Sequence, residues 1–554
     1  TGRNQLNEES LWAGRPAEGF APDSPKHLAE VQRLVLAGKR KEAREYGLQH
    51  LTQTPTSFRS YEPLGDLFLD FGQAGEVSEY RRELSLPDAI HRTTYRAGEA
   101  TITREVLISA PADVLATRVT TDQPGTLSFA VRLTRHKDAN VTVHGNQRLH
   151  LDGQIVDIAK KDGGPEPNRG GSGPGGKHMR FAGRLLVRTE GGEVKPGSDG
   201  SLQVAGATRA VILFTAATDY IRELLNFDRN LDPAAEAERI LRWSADTSWN
   251  DLRRTHLQEH RKFFDRFALE LGPADPQRSA LPTDARLEAV KNGEHDPALT
   301  ALHAQFGRYL LLGSSRAPGR LPANLQGIWN DRPWAPWEAD YHLNINLQMN
   351  YWPAPVAGLP ETLESLTGWF GPLTRRGRMA AERLYGSDGW VCFHATNPFG
   401  RVTPSGSNHR SQFLNGVLDP LAGAWLAVQL YDAWQFDGDR EALEALYPIL
   451  SGASEFVLDT LVECPDGMLR IVPSTSPENT YLDPESGKAF RITAGSTYHL
   501  SIVRALFDAT TRAAATLGHD AERRTRIAAA TAKLPPIRTG PDGRILEWAE
   551  PYPE

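Results

Sequence analysis

The sequence predicts a multidomain α+β protein: an N-terminal β-sandwich, then a helical linker, then a C-terminal helical barrel. Three observations lead to this prediction. The 554 residues exceed the roughly 250–300 at which a single hydrophobic core stops growing. From about Tyr61 to Phe214 the apolar pattern is typical of strands, with few helices. Beyond about residue 231 the period becomes helical, and long aromatic loops separate the helices.

The β-sandwich, assigned to residues 1–230, rests on short apolar runs broken by Gly, Asp and Asn turns. These runs are "DLFLDF", "TTYRAGEATITREVLIS", "VLATRVTTD", "GTLSFAVRLT", "RFAGRLLVRT" and "RAVILFTAATDY". A segment rich in Gly and Pro, "KKDGGPEPNRGGSGPGGKHMRF", interrupts them and is interpreted as a mobile surface loop.

Residues 231–295 form the predicted helical linker, and residues 296–554 form the barrel. Several amphipathic helices with loops on one side indicate a helical barrel. The helical segments are "DPALTALHAQFGRYLLLGSS", "ETLESLTGWFGPLTRRGRMAAERLYG", "PLAGAWLAVQLYDAWQFDG", "DREALEALYPILSGASEFVLDTLVE", "TYHLSIVRALFDATTRAAATLG" and "DAERRTRIAAATAKL".

Charge and cysteine content argue against several classes of partner. A net charge of -7 provides no basic field for nucleic acid or anionic lipid. Cys392 and Cys464 form no CxxC pair, which argues against a thiolate metal centre, and a disulfide between them is left open. No apolar run approaches the roughly 20 residues that span a bilayer, so we expect a soluble protein. We also expect no cofactor.

Tryptophans concentrate in the loops of the second half. Five of the chain's twelve, Trp329, Trp334, Trp337, Trp352 and Trp390, fall within about sixty residues. Flat rings beside amides and carboxylates suit sugars, which have apolar C–H faces and hydroxyl edges. Packing under the loops explains such tryptophans equally well, and we expect both roles.

The stretch "DYHLNINLQMNYWPA", residues 340–354, places amides among residues that look buried. Buried amides need hydrogen-bond partners, so a folding argument alone would favour leucine at most of these positions. Asn344 and Asn346 are two residues apart and share a face only if the backbone is extended, which predicts a short extended segment. A turn or cap network is an equally ordinary use of asparagine.

Glu478 in "STSPENTY" is the best candidate for the general acid of a glycosidase. Two prolines stiffen its loop, and burial near aromatics would raise the pKa of its carboxyl. An inverting mechanism needs a base on the other face of the sugar, and amides can orient water but are not bases. Glu338, Asp340 and Asp331 are nearby in sequence, although capping or pairing with arginine is the commoner role of such residues.

Eight segments together resemble glycoside hydrolase family 95, the inverting α-L-fucosidases. They are "NQLNEESLWAGRP", "YEPLGDLFLDF", "YRRELSL", "TREVLIS", "GRYLLLGSSR", "LPANLQGIWND", "NINLQMNYWPA" and "PSTSPEN". The resemblance implies a β-sandwich, a helical linker, an (α/α)6 barrel that holds the active site and a closing β-domain.

The resemblance also implies residue roles. Glu478 matches the family's general acid, and Asn344 and Asn346 match the pair that positions the water. His342 matches the form that accepts L-fucose, whereas threonine there accompanies L-galactosides. The implied substrate is an α-1,2-fucosylated oligosaccharide.

Four further residues resemble family positions near the sugar: Trp425, His394, Asn397 and Tyr552. Each has an ordinary alternative. A tryptophan on a helix packs in the core, a loop histidine or asparagine caps a turn, and Tyr552 lies at the end of the chain.

The sequence departs from the family at its C-terminus. The family continues into a His-Arg-His segment and a His-Pro-Pro-Phe-Gln-Ile-Asp segment whose aspartate charges the asparagine pair, and neither is among these residues. Both ends are interpreted as cuts through a longer protein. We expect the 554 residues alone to be inactive and poorly soluble, because an open barrel exposes apolar faces. Family members are often exported, which suggests the periplasm or the exterior; the oligomeric state is left open.

Three other functions fit parts of the sequence. An α-L-galactosidase of the same family would share the site. An α-glycoside phosphorylase would need basic or hydroxyl donors for phosphate, and none cluster near the asparagine pair in the sequence. A sugar-binding fragment without catalysis would use the aromatic loops but would not need Glu478.

Overall fold

The computed structural model describes residues 2–16, 19–51, 59–72, 76–157, 175–404, 419–484 and 486–552. Strands dominate the first part. They are β1 (Gly2–Leu6), β2 (Gly65–Asp70), β3 (Val77–Ser85), β4 (Ile90–Ala97), β5 (Ala100–Ser109), β6 (Val114–Thr121), β7 (Leu127–Thr134), β8 (Ala139–His144), β9 (Arg148–Asp157), β10 (Gly176–Glu190), β11 (Glu193–Pro196), β12 (Leu202–Ala207) and β13 (Arg209–Thr218). The short strands Tyr220–Ile221 and Asn226–Phe227 follow as a pair.

Two antiparallel sheets form the sandwich. One has the order β1-β2-β7-β12-β11, and the other has the order β3-β4-β5-β6-β13-β10-β9-β8. In β2 and β7 buried residues alternate with more exposed ones, as expected where one face of a sheet packs and the other meets solvent. Leu67 and Val131 of the first sheet join Leu151, Leu185 and Ile212 of the second in one core.

The outer face of the larger sheet is also covered, which explains why β10 and β13 read as nearly continuous apolar runs. The helix Pro233–Ala245 packs on these two strands, with Leu241 against Leu213 and Leu186 in a separate apolar cluster. Asp232 begins this helix by accepting the N–H groups of Ala234 and Ala235.

The C-terminal region is helical. Its longer helices are Trp249–Phe264, Pro297–Ser315, Leu363–Ala380, Ala422–Trp434, Arg440–Thr460, Thr497–Leu517 and Ala521–Ala532; the shorter ones are Pro276–Ser279, Thr283–Lys291, Asn346–Tyr351 and Pro353–Val356. Side chains of Ser454 and Thr510 hydrogen-bond at 2.7 Å between two of the longest helices. The helical segments predicted from the sequence all contain helices here.

A pair of helices within the first 60 residues was not predicted. We call the helices Ser24–Leu36 and Arg40–His50 the helical pair. The helical pair packs against the helical C-terminal region and not within the two sheets. Their apolar side chains share a cluster with Val472, Tyr481 and Trp548. The N-terminal part of the chain therefore contacts the loops of the C-terminal part directly.

The fold class predicted from the sequence agrees with the structure. An N-terminal β-sandwich followed by a helical C-terminal region is confirmed. The boundaries 1–230, 231–295 and 296–554 stay predictions. The predicted mobile loop lies mostly outside the described residues, and from Gly176 onward the chain is already strand β10.

Two open points about the chain are settled in the described residues. Cys392 and Cys464 are both buried and free, so they form no disulfide with each other. Within the described ranges, no helix combines the length and apolarity needed to cross a bilayer.

Candidate functional site

The asparagine segment lies beside a second loop of the helical region. Strand Tyr341–His342 pairs antiparallel with Ala395–Thr396, and the N–H of Leu343 donates to the carbonyl of His394 at 2.6 Å. The short ladder brings residues 341–346 and 394–397 together. It is the local framework of the site.

The predicted extended segment is wrong beyond His342. The chain turns at residues 343–345, and the helix Asn346–Tyr351 begins at the second asparagine. The expected burial is also wrong for part of the stretch, since Asn346 is exposed and Met349 is 59% exposed. Asn344 is half-buried. Both amides can therefore meet a ligand without the desolvation that a buried amide would suffer.

His342 is held by a buried acid. Its Nδ1 donates to the carboxylate of Asp340, which is 2% exposed. Burial alone would lower the pKa of His342, but Asp340, with smaller contributions from Glu338 and Glu478, raises it above its ordinary value. Asp340 pairs with histidine and not, as the sequence suggested, with arginine. Because Nδ1 is occupied by Asp340, Nε2 is the nitrogen that remains for a ligand.

Glu338 and Asp340 are acids for which the sequence indicated only capping or pairing with arginine. Burial, with the charge of Asp340, raises the pKa of Glu338 to about 7. Burial also raises the pKa of Asp340, although its histidine partner opposes this. Spacing could have identified the Asp340–His342 pair, because residues two apart on an extended segment share a face. Asp331 behaves as predicted and pairs with Arg332 at 3.8 Å.

The loop before His342 has an unusual backbone and is supported by the β-sandwich domain. Trp337, Glu338 and Ala339 all have positive φ, a conformation that costs residues other than glycine about 1–3 kcal/mol each. The N–H of Tyr61 donates to the carbonyl of Glu338 at 3.0 Å. The rings of Trp12 and Tyr341 lie 5.8 Å apart, and both are fully buried.

His394 lies next to His342, with ring centroids 5.5 Å apart and the rings perpendicular. Burial, followed by the charges of His342 and Arg401, lowers the pKa of His394 to about 3. His394 is therefore neutral at ordinary pH. Asn397 is 6% exposed and accepts the N–H of Arg401 at 3.4 Å with its side chain, which is the turn-capping alternative. Contact of either residue with a sugar stays a prediction.

Glu478 lies on a loop whose base is fixed in the protein interior. Ser474 and Thr493 exchange backbone hydrogen bonds of 2.9 and 3.0 Å. The hydroxyl of Ser496 donates to the carbonyl of Thr475 at 2.8 Å. Glu478 itself is exposed, so its predicted burial near aromatics is wrong. The carboxyl is open to solvent at the end of a well-anchored loop.

A buried polar network connects the base of this loop to the helix Thr497–Leu517. The side chains of Ser474 and His499 hydrogen-bond at 2.8 Å, and Nε2 of His499 contacts the carboxylate of Asp419 at 3.2 Å. The hydroxyl of Tyr498 donates to the same carboxylate at 3.3 Å. Sequence reasoning missed this network, because Asp419 and His499 are separated by 80 residues.

Trp425 lies between the network and the asparagine helix. Its ring centroid is 5.8 Å from that of Tyr498 and 6.1 Å from that of Trp352, which follows the helix Asn346–Tyr351 directly. Trp425 is half-buried and Trp352 is 44% exposed. Aromatic rings thus extend from Tyr498, beside the polar network, to Trp352, beside the asparagine helix. Contact of Trp425 with a sugar stays a prediction.

The tryptophans of the loops divide between the two expected roles. Trp390 is 2% exposed and donates its indole N–H to the carbonyl of Ile449 at 2.8 Å. Trp329 and Trp337 are 42% and 71% exposed. The first is a core residue, and the others are available to a ligand.

Tyr552 lies apart from the asparagine pair. Its ring stacks on that of Tyr481 at 4.1 Å, and its hydroxyl accepts a hydrogen bond from Arg40 at 3.1 Å. The structure therefore brings Tyr552 to the base of the Glu478 loop and not to His342. Its contact with substrate stays a prediction.

The candidate residues lie on two main segments, the asparagine segment and the Glu478 loop. His342 precedes the asparagine pair, and the charge of Glu478 acts on its pKa although 136 residues separate them in sequence. The site has a candidate acid, two amides, a histidine with a bound acid and exposed aromatic surface. In the described part of the chain, no three His, Cys, Asp or Glu side chains are arranged to hold a metal ion.

Comparison with known families divides the chain as the fold does. The family model described as "Glycosyl hydrolase family 95 catalytic domain" matches residues 248–554. The model described as "Glycosyl hydrolase family 65, N-terminal domain" matches residues 1–223.

Curated relatives align along nearly the whole chain. Alpha-L-fucosidase 2 from Arabidopsis thaliana is 33% identical over 566 residues, which cover 99% of this chain and 65% of the relative. Probable alpha-fucosidase A from Aspergillus niger is 29% identical over 575 residues, covering 98% of this chain and 67% of the relative. The chain thus spans about two thirds of the length of these relatives.

A solved structure has the same fold. It is described as a putative kojibiose phosphorylase from human microbiome, with a TM-score of 0.51 and 10% sequence identity, covering 90% of this chain and 62% of that one. This similarity supports the order of sandwich and helical region.

Proposed function

The chain belongs to glycoside hydrolase family 95, and on that premise we propose that the protein is an inverting α-L-fucosidase. Its substrates are α-linked, in particular α-1,2-linked, fucosyl oligosaccharides, and its product is L-fucose. The names of the curated relatives support the fucosidase activity.

In the proposed mechanism Glu478 is the general acid. Its proton passes to the glycosidic oxygen as the bond from that oxygen to the anomeric carbon breaks. The carbonyl oxygens of Asn344 and Asn346 accept hydrogen bonds from a water molecule, whose oxygen attacks the anomeric carbon from the opposite face. The proton released by this water needs a carboxylate. In the family that group is the aspartate of the His-Pro-Pro-Phe-Gln-Ile-Asp segment, which is not among these residues.

The main support is the electrostatic link between Glu478 and His342. The charge of Glu478 is the last of the contributions that raise the pKa of His342, which supports placing this carboxyl on the same side of the protein as the asparagine pair. The loops that hold the two groups are anchored independently, one at Ser474 and the other by pairing with Ala395–Thr396. The proposal requires a sugar bound between the two loops to have the acid on one side and the amides on the other.

His342 is proposed to favour L-fucose over L-galactose. The two sugars differ only by the hydroxyl on C6, so a residue close to that carbon discriminates between them. His342→Thr in the full-length protein should raise the ratio of kcat/KM for L-galactosides to that for fucosides. An unchanged ratio would remove His342 from the specificity of the site.

The experiment that tests the function uses the full-length protein and an α-1,2-fucosyl oligosaccharide. Proton NMR of the first product formed should show β-L-fucose, because an inverting reaction converts the α-linkage into the β-anomer. Parallel reactions with and without phosphate should give free fucose at the same rate. A fucosyl phosphate product would favour the phosphorylase alternative, and binding without turnover would favour a sugar-binding protein.

A further inference from the structure

The helical pair of the N-terminal part contacts both ends of the segment that carries Glu478. Before Glu478, the side-chain amide of Gln32 donates to the carbonyl of Val472 at 3.0 Å. After it, the guanidinium of Arg40 donates to the carboxylate of Asp483 at 3.0 Å. Gln32 lies on the first helix of the pair, and Arg40 begins the second.

The contact at Asp483 is a buried ion pair with several supporting hydrogen bonds. The side chains of Arg40 and Asp483 are 16% and 9% exposed. Asp483 also accepts the backbone N–H of Ser486 at 2.9 Å and its hydroxyl at 2.6 Å, while Arg40 donates to the hydroxyl of Tyr552 at 3.1 Å. Removing one partner of such a pair leaves a largely buried charge without its counter-ion, so the pair favours a single geometry.

Apolar packing surrounds these polar contacts. Tyr481, three residues after Glu478, is 1% exposed and lies between the rings of Tyr552 and Trp548, with centroid distances of 4.1 and 5.1 Å. The same cluster includes side chains from the helical pair: Leu28, Val31, Leu34, Val35 and Ala43. The end of the Glu478 segment is thus packed against a different part of the chain.

We propose that the helical pair positions the general acid, with Arg40 and Gln32 as the positioning residues. This inference rests on the proposed function. Glu478 is exposed, so packing around its own side chain does not fix it. Its position depends on how the two ends of its segment are held, and the contacts at Val472 and Asp483 add to the bonds that Ser474 makes with Thr493. A displacement of the acid by about 1 Å costs a reaction about 10²-fold in rate. The N-terminal part of the chain is therefore part of the acid's support.

The test compares two substrates in the full-length protein. An α-1,2-fucosyl oligosaccharide has a poor leaving group that needs the acid's proton, whereas fluoride in α-L-fucosyl fluoride leaves with little need for it. Arg40→Met should lower kcat about 10–100-fold for the oligosaccharide, by analogy with other small displacements of catalytic groups. The same variant should hydrolyse the fluoride within a few-fold of the wild-type rate. Arg40→Lys should restore part of the oligosaccharide activity, because it keeps the charge.

Two further variants keep the test decisive. Arg33→Met is the matched control, because Arg33 lies on the same helical pair but its side chain is 60% exposed and pairs with Glu30 on its own helix. It should behave as wild type. Gln32→Leu removes one hydrogen bond without leaving a buried charge and should show the same substrate pattern, with a smaller loss, even if Arg40→Met does not fold.

The outcomes separate the two proposals. Equal losses of rate on both substrates would overturn the positioning role, and so would wild-type rates in both Arg40→Met and Gln32→Leu. In either case the proposed function would stand, because the wild-type protein is active. A wild-type protein inactive on both substrates would overturn the proposed function itself.

Discussion

Nδ1 of His342 is bound to the carboxylate of Asp340, and this pair sits directly before the two asparagines of the site. The buried acid fixes which ring nitrogen can face a ligand. It also keeps the pKa of His342 above its ordinary value against the effect of burial. A histidine whose charge and orientation are set in this way can influence the asparagine segment that follows it.

Asp340→Asn should lower the pKa of His342. The amide keeps the size of the side chain but removes the charge that, after burial, makes the largest contribution to this pKa. The protonated form would then be lost at a lower pH than in wild type. NMR titration of the His342 ring protons measures the change directly. Asp331→Asn, at an exposed site, is the control and should leave the titration unchanged; an equal shift in both variants would contradict the assignment.

Glu478→Gln should lower kcat for the fucosyl oligosaccharide by about 10²–10⁴-fold, the usual contribution of a general acid. Affinity for free fucose should stay within a few-fold of wild type, because the amide preserves shape. Steady-state kinetics and calorimetric titration measure the two quantities. Glu463→Gln, at an exposed carboxyl of the same region, serves as control. Normal turnover in Glu478→Gln would exclude Glu478 as the acid.

Asn346→Asp should reduce turnover by about 10²-fold although the side chain keeps its size, in line with the cost of misplacing a reacting group. A carboxylate at the start of this helix would repel the acidic partner that the water mechanism requires. Stopped assays of fucose release measure the loss. Asn292→Asp introduces the same charge at an exposed helix end and should not change the rate. Activity equal to wild type in Asn346→Asp would argue against a water-positioning role.

Glu9→Gln should flatten the pH dependence of stability. Burial and the charge of Glu8 raise the pKa of Glu9 to about 8, although the N–H groups of Arg320 and Leu321 donate to it. The folded protein therefore holds a proton that the unfolded chain has lost above about pH 4.5. The free energy of unfolding falls as pH rises from there to about 8, and the amide removes this contribution.

Urea unfolding of wild type and Glu9→Gln at pH 5, 6, 7 and 8 measures this effect. Glu99→Gln, at an exposed turn of the sandwich, should keep the wild-type slope. Parallel pH dependence in wild type and Glu9→Gln would show that Glu9 does not titrate in this range.

The sequence by itself determined the elements and their order. Apolar alternation in β2 and β7 and helical periodicity in segments such as Thr497–Leu517 depend on neighbours within a few residues, which the sequence displays directly. The motifs around Asn344 and Glu478 indicated the family for the same reason, since each is a short continuous stretch.

The tertiary structure alone decided burial and partners. Glu478 and Asn346 were expected to be buried, but both are exposed, Glu478 on a loop whose base is buried and Asn346 at the start of a helix. Gln32 meets Val472 across 440 residues of sequence, and no local pattern shows which distant segment covers a side chain. Exposure depends on the packing of the whole chain, so only the tertiary structure reveals it. Secondary structure depends mainly on nearby residues, so the sequence predicts it.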